Sequence, residues 1–224
     1  MPKYYKYIPF GRSNSKRRKW TMDIFRNNRL YLGHFNDLND PMEAMFNASE
    51  LTNYQIQQIK LKSQHIKQIQ SLKPNILIGC LTQTYTDILM WTHYADNHLG
   101  CCIEFEINRI DGDYIEAMNY STQIEAPQHS NILNESVNIL TNKLQPWEHE
   151  QEIRYLRQID RIDDDSHYVY INITTVYLGV KLSEKSANYY QKLITQISPS
   201  ITVRQIRTEE LTWWDGKRNK IVLV

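Results

Sequence analysis

Asp87 to Phe105 reads D-I-L-M-W-T-H-Y-A-D-N-H-L-G-C-C-I-E-F and concentrates the chain's chemistry-bearing side chains. Trp91, His93, Tyr94, Asp96 and His98 fall within eight positions, and Glu104 follows in an apolar run. Thr86 can cap a helix here, with Asp87 in its first turn and Gly100 at its end. At 100° per residue, Trp91, Tyr94, Ala95 and His98 share one face, and Met90, His93 and Asn97 share another. Two aromatics, two imidazoles and a carboxylate offer stacking surfaces and hydrogen-bonding groups to something planar and polar. The same residues also suit a core role, with the aromatics buried and the histidines at the rim.

Two further groups carry charge. Asn39-Asp40-Pro41-Met42-Glu43 reads as a turn, because Pro41 keeps Asp40 out of the helical region. It presents amides and carboxylates, either to a ligand or to the cap of a following helix. Trp147-Glu148-His149-Glu150-Gln151-Glu152-Ile153-Arg154 reads as a strand with Glu148, Glu150, Glu152 and Arg154 on one face. Three acids on one face repel, a cost tolerated where a site uses charge. Arg154 is expected to pair with Glu152, leaving Glu150 free. The three groups are predicted to meet in one cleft holding Asn39 or Asp40, Trp91, His93 and Glu150 or Glu152.

The elements that must position them follow from periodicity. Strands are expected at residues 4–8, 30–32, 76–82, 101–107, 168–173, 176–180, 201–206 and 220–224. Helices are expected at 14–27, 50–71, about 130–143 and after a Ser183 cap. Asp163 to Asp165 reads as a loop, and Trp213-Trp214-Asp215-Gly216 as a turn with an aromatic anchor. The irregular alternation lacks βαβ spacing. It predicts an α+β fold, one domain over residues 1–224, with a mixed or antiparallel, possibly split, sheet flanked by helices. Lys16-Arg17-Arg18-Lys19 opens the first helix, either as a solvated end or as a phosphate-contacting patch.

Bulk properties narrow the function classes. The 224 residues are 41% hydrophobic and 23% charged, with a net charge of +1. No global field draws such a chain to nucleic acid or membrane. No apolar run reaches the roughly 18 residues of a transmembrane helix, and the first residues lack a signal-peptide core. Cys80, Cys101 and Cys102 fit neither a zinc spacing nor a disulfide framework, so a cytoplasmic protein with reduced thiols is expected. Glycine-rich nucleotide loops, the nucleophile elbow and the H-E-x-x-H zinc motif are absent. No metal is expected, although His34, His93 or His98 with Asp40 leaves a metal site open.

The order of these pieces resembles the bacterial family catalogued as domain of unknown function 2971. The resemblance rests on Tyr5-Lys6-Tyr7, Asn39 to Glu43, Cys80-Leu81-Thr82, Met90 to Phe105, Trp147, Glu150, Glu152, Arg154 and Leu178-Gly179. Leu81-Thr82 stands where that family has Phe-Ser, and the basic run is extra. More distantly, the arrangement is similar to the ADP-ribosyltransferase plan. That likeness implies an NAD-dependent enzyme that modifies a macromolecule, nucleic acid or protein, as a toxin or phage-defence effector with a possible antitoxin. It implies a ribose contact from Lys6, a nicotinamide stacker in Tyr94 or Trp91, and a catalytic Glu150 or Glu152. Tyr7, Asn39 and Asp40 complete the implied NAD-binding set, and His93 joins the glutamates as a catalytic candidate. The rival expectations are a hydrolase or nuclease using His93, Asp40 and Glu104, and a non-catalytic nucleotide- or peptide-binding module.

Overall fold

The computed structural model describes residues 2–11, 16–45, 64, 66–108, 111–123, 131–159, 165–216 and 219–221, without the side chains of 219–221. The chain begins with β1 (Tyr4–Ile8), α1 (Lys16–Asn27), β2 (Arg29–Tyr31) and β3 (Ile76–Thr82). Next come α2 (Ile88–Tyr94), β4 (Cys101–Ile107), β5 (Tyr114–Ala117), β6 (Asn119–Ser121), α3 (Ile132–Leu140) and β7 (Asn142–Leu144). It closes with β8 (Glu152–Gln158), β9 (Tyr168–Leu178), α4 (Glu184–Ile197), β10 (Thr202–Gln205), β11 (Thr212–Trp214) and β12 (Asn219–Ile221). Most of the helix expected over 50–71 lies outside the described residues; its end, 66–72, is helical. The Asp163–Asp165 loop falls largely outside them too.

The architecture is α+β. Eight strands form one sheet in the order β10-β9-β4-β1-β3-β8-β5, with β2 also paired to β9. Every pairing in it is antiparallel except β10 with β9. The two strands expected at 168–173 and 176–180 are one, β9, with its register against β4 shifted at Thr174. An extra residue of this kind bends the strand without ending it. Trp213 and Trp214 stand in β11 and not in a turn, and Trp213 is exposed.

Alternation along the strands gives the sheet two differently covered faces. On one, α1 and α4 bury Met22, Phe25, Ala187 and Ile194 against Tyr4, Ile8, Leu81 and Ile103. On the other there are two separate apolar clusters. Trp91 and Ala95 beneath α2 pack with Tyr7, Cys102 and Tyr177. Ile69, Val137 and Leu140 pack with Ile76, Ile78 and Leu156. Between these clusters the sheet opens. β1 pairs with β4 from Tyr4–Phe105 to Ile8–Cys101, but with β3 only at Tyr5–Thr82. Beyond that pair β3 turns to Gly33, which bridges Ile78. Lys6 spans the gap, its Nζ donating to the Cys80 carbonyl at 2.8 Å.

Helix α2 is shorter than its side-chain pattern suggested. Asp87, not Thr86, is the cap, accepting from the Leu89 and Met90 amides at 2.9 Å. The helix stops at Tyr94, and Asp96, Asn97 and His98 take φ of 53°, 57° and 70°. Asp, Asn and His are the non-glycine residues most tolerant of that left-handed region. The looped-back chain lies against β9, with Gly179 N donating to the Gly100 carbonyl at 3.0 Å. Much of the motif therefore serves backbone geometry.

Candidate functional site

The opening between β1 and β3 leads into a cavity of about 200 Å³. Its floor comes from adjacent strands. Cys80 pairs with Arg154 and Thr82 with Glu152, so these side chains share a face. Residues Gln145–Glu150 form a 3₁₀ helix, and the acidic strand begins only at Glu152. The expected run of strand from Trp147 is corrected accordingly: Pro146 enters the 3₁₀ turn, and Gln151 leaves it in the left-handed region at φ 45°, ψ 46°. Glu150 and Glu152 nevertheless both line the cavity, because this turn takes the place of strand alternation. Thr82 Oγ1 fastens the turn by donating to the Glu150 carbonyl at 2.8 Å.

The carboxylates are closely engaged. Tyr94, the last residue of α2, donates its hydroxyl to Glu150 Oε1 at 2.5 Å. Lys143 Nζ lies 2.6 Å from Glu150 Oε2 and 3.1 Å from Glu152 Oε2. Arg154 Nε meets Glu152 Oε1 at 2.9 Å, while its Nη1 and Nη2 reach Glu43 at 2.6 and 2.8 Å. Arg154 also donates to the Leu140 carbonyl. Burial alone would raise the Glu152 pKa, but Arg154 and Lys143 hold it down at about 2. Burial lowers the Lys143 ammonium pKa, yet Glu152 and Glu150 leave it above the usual lysine value. Burial and the Glu150 charge push the Tyr94 phenol up.

Arg154 does pair with Glu152 as expected, but Glu150 is not free. Lys143 and Glu43, its counterparts in this network, carried no spacing signal toward Glu150 or Arg154. Glu43 lies 111 residues from Arg154, and Lys143 arrives from β7, outside the acidic segment. Only the Asn39–Glu43 turn motif hinted at Glu43.

Asn39, Asp40, Tyr94, Glu150 and Glu152 all line the cavity, as do Lys6 and Tyr7. Asp40 is buried, its Oδ1 accepting from Met42 N at 2.9 Å, so it also builds its own turn. The Tyr7 hydroxyl accepts from the Asp87 amide at 3.2 Å and so ties β1 to α2.

Two members of the expected cleft stand elsewhere. Trp91 is fully buried; Nε1 donates to the Tyr85 carbonyl at 2.8 Å, and its ring meets Tyr7 edge-on. No ring face is left for a ligand. His93 is exposed and absent from the cavity lining, its ring 6.5 Å from that of His149. His98 is buried, with Nε2 against Thr92 Oγ1 at 3.1 Å.

Glu104 lies outside the lining as well. It meets Lys3 Nζ, Thr174 Oγ1, the Tyr177 hydroxyl and the Tyr5 hydroxyl at 2.6, 2.7, 3.0 and 3.1 Å. Burial opposes its ionisation, but these donors keep its pKa at about 2. His93, Asp40 and Glu104, the trio of the hydrolase reading, therefore do not share the cavity. Among the described residues no group of three or more His, Cys, Asp or Glu side chains is placed to hold a metal ion. Among them, too, no helix is long and apolar enough to cross a membrane.

A family model described as Protein of unknown function (DUF2971) matches residues 90–155. The match supports the resemblance read from the motifs, and its span contains Tyr94, Lys143, Glu150, Glu152 and Arg154. No curated protein and no solved structure matches the chain.

Proposed function

We propose that the chain is an NAD-using, ADP-ribosyltransferase-like enzyme that modifies a macromolecule, with its site in the opening between β1 and β3. One observation carries the reading: the cavity is lined by five carboxylates, Asp37, Asp40, Glu43, Glu150 and Glu152, against three cations, Lys6, Lys143 and Arg154. An excess of negative charge, with Asp37 at the exposed edge and Asp40, Glu43, Glu150 and Glu152 burying their side chains, favours a cationic group, or one that becomes cationic as it reacts. Oxidised nicotinamide is such a group, and so is ribose C1′ as its bond to the ring nitrogen breaks.

The volume is compatible with part of the dinucleotide. About 200 Å³ falls short of the roughly 300 Å³ at which pockets begin to enclose a drug-sized ligand. The nicotinamide end fits, and the pyrophosphate and adenosine remain outside, away from the carboxylates. Tyr94 forms the aromatic wall, and Lys6 contacts the ribose. Glu150 stabilises the positive charge developing at C1′ while the bonding electron pair leaves with the nicotinamide nitrogen. The acceptor then bonds to C1′ and passes its proton to the carboxylate. Glu152, held by Arg154 and Lys143, is a positioning residue.

The charge argument gives a direct test. Reduction of NAD to NADH removes the ring's positive charge with little change in size. Calorimetric titration of the protein is expected to show tighter binding of NAD than of NADH. Equal affinity, or no binding of either, would count against the reading. The binding-module alternative retains one supporting observation, that Lys143 and Tyr94 engage both oxygens of Glu150. Binding of NAD without release of nicotinamide would select it.

A further inference from the structure

We infer that the outer surface of α1 and α4 is a docking site for single-stranded nucleic acid, on the sheet face opposite the cavity. Helix α1 has no acid in its first turn, and Asp23, its one acid, is engaged by Arg29 and Asn27. Its apolar residues Met22 and Phe25 are consumed by the core. Outside remain exposed Lys16, Arg17 and Lys19, together with Trp20 at 68% exposure. At 100° per residue, Lys16, Lys19 and Trp20 lie on one side.

Helix α4 adds exposed cations and a ring, although its first turn also carries exposed Glu184 beside Lys185. Lys185, Tyr189 and Lys192 share one side at i, i+4 and i+7, and all three are exposed, Tyr189 by 52%. Arg18 joins the two helices, donating to the Tyr189 and Tyr190 hydroxyls at 2.9 and 3.1 Å. The surface thus alternates flat aromatic rings with cations in a protein whose net charge is only +1.

Trp20 sets a large exposed aromatic ring among lysines. It suits a ligand with repeated negative charge and planar faces. Phosphates would contact the lysines, and unstacked bases would lie on Trp20 and Tyr189. Duplex DNA hides its base faces and leaves Trp20 without a role. An anionic membrane fits less well, because an interfacial helix needs a broad apolar face toward the lipid, and here that face is turned into the core.

The proposal does not depend on the reading of the cavity, and its test involves no NAD. Fluorescence anisotropy with a labelled oligothymidine is expected to show salt-sensitive binding. Trp20→Ala should weaken it about tenfold, within the range for loss of one stacked base. Replacing Lys16, Lys19 and Lys192 by Gln should reduce the log–log salt slope by about 2, at roughly 0.7 per phosphate contact. Far-UV circular dichroism is expected to be unchanged in both proteins, since all four side chains are exposed. The inference is overturned if the oligonucleotide does not bind. It is also overturned if both variants bind like wild type, if duplex DNA binds more tightly, or if phosphatidylserine vesicles bind where oligothymidine does not.

Discussion

Lys143 holds two buried carboxylates at once, and its substitution therefore tests the electrostatics of the cavity. Lys143→Met would leave Glu150 with the Tyr94 hydroxyl and Glu152 with Arg154. Breaking a buried ion pair from one side costs about 3–5 kcal/mol, most of it the penalty of an uncompensated charge. Urea denaturation at neutral pH should show a deficit of that order. The sign with pH follows from Glu152, whose folded-state pKa of about 2 lies below the ordinary 4.5. In the wild type its contribution is present above about 4.5 and is lost as pH falls through about 2. In Lys143→Met, Glu152 loses one of the two cations that hold its pKa down and protonates at higher pH, so the deficit should narrow as pH is lowered toward 4. A constant deficit would show that Lys143 acts through packing alone. His93 gives the opposite expectation. Exposed and outside the cavity, it should tolerate Ala with nicotinamide release and thermal midpoint both close to wild type; loss of release at an unchanged midpoint would return it to the site.

At the scale of elements, the short helix α2 and the loop that follows it place Tyr94. The loop closes against β9 with so little clearance that a Cβ on Gly179 would overlap the His98 carbonyl, and one on Gly100 would overlap the Ile8 carbonyl. Gly179→Ala is expected to cost about 1–3 kcal/mol or more by overpacking. Asp87→Ala, which removes the α2 cap, should cost about 0.5–2 kcal/mol. Chemical denaturation separates these from a Gly112→Ala control, where nothing lies within 4 Å and only positive φ is strained. The strands at 4–8, 76–82 and 101–107 were legible to the residue because each is an apolar run closed by a polar or turn residue. Legibility failed where tertiary contacts decide. A helix through His98 satisfies the side-chain pattern, but the docking of Gly100 and Gly179 demands a left-handed loop. A strand through Glu150 satisfies alternation, but Pro146 and Gln151 replace it with a tight turn. Both routes bring Glu150 and Glu152 to one side, so the chemistry of the pair was readable while its backbone was not. Lys143 could not be found, since nothing in sequence spacing links β7 to the cavity floor.

For the whole molecule, the informative feature is that one otherwise continuous sheet opens at a single seam. The covering helices on that face form two apolar clusters instead of one, and the charged network fills the gap between them. The net charge of +1 conceals this, because it sums 26 Lys and Arg against 25 Asp and Glu over the whole chain. In the proposed function, the cavity's spare negative charge promotes cleavage of the bond between nicotinamide and ribose. This role is tested most directly by measuring nicotinamide release from NAD by wild-type and Glu150→Gln protein side by side, with NAD affinity from calorimetry. The expected result is release by the wild type, a fall on the order of 10²-fold in Glu150→Gln, and little change in affinity. Undiminished release from both Glu150→Gln and Glu152→Gln, or a wild-type protein that neither binds nor cleaves NAD, would contradict it.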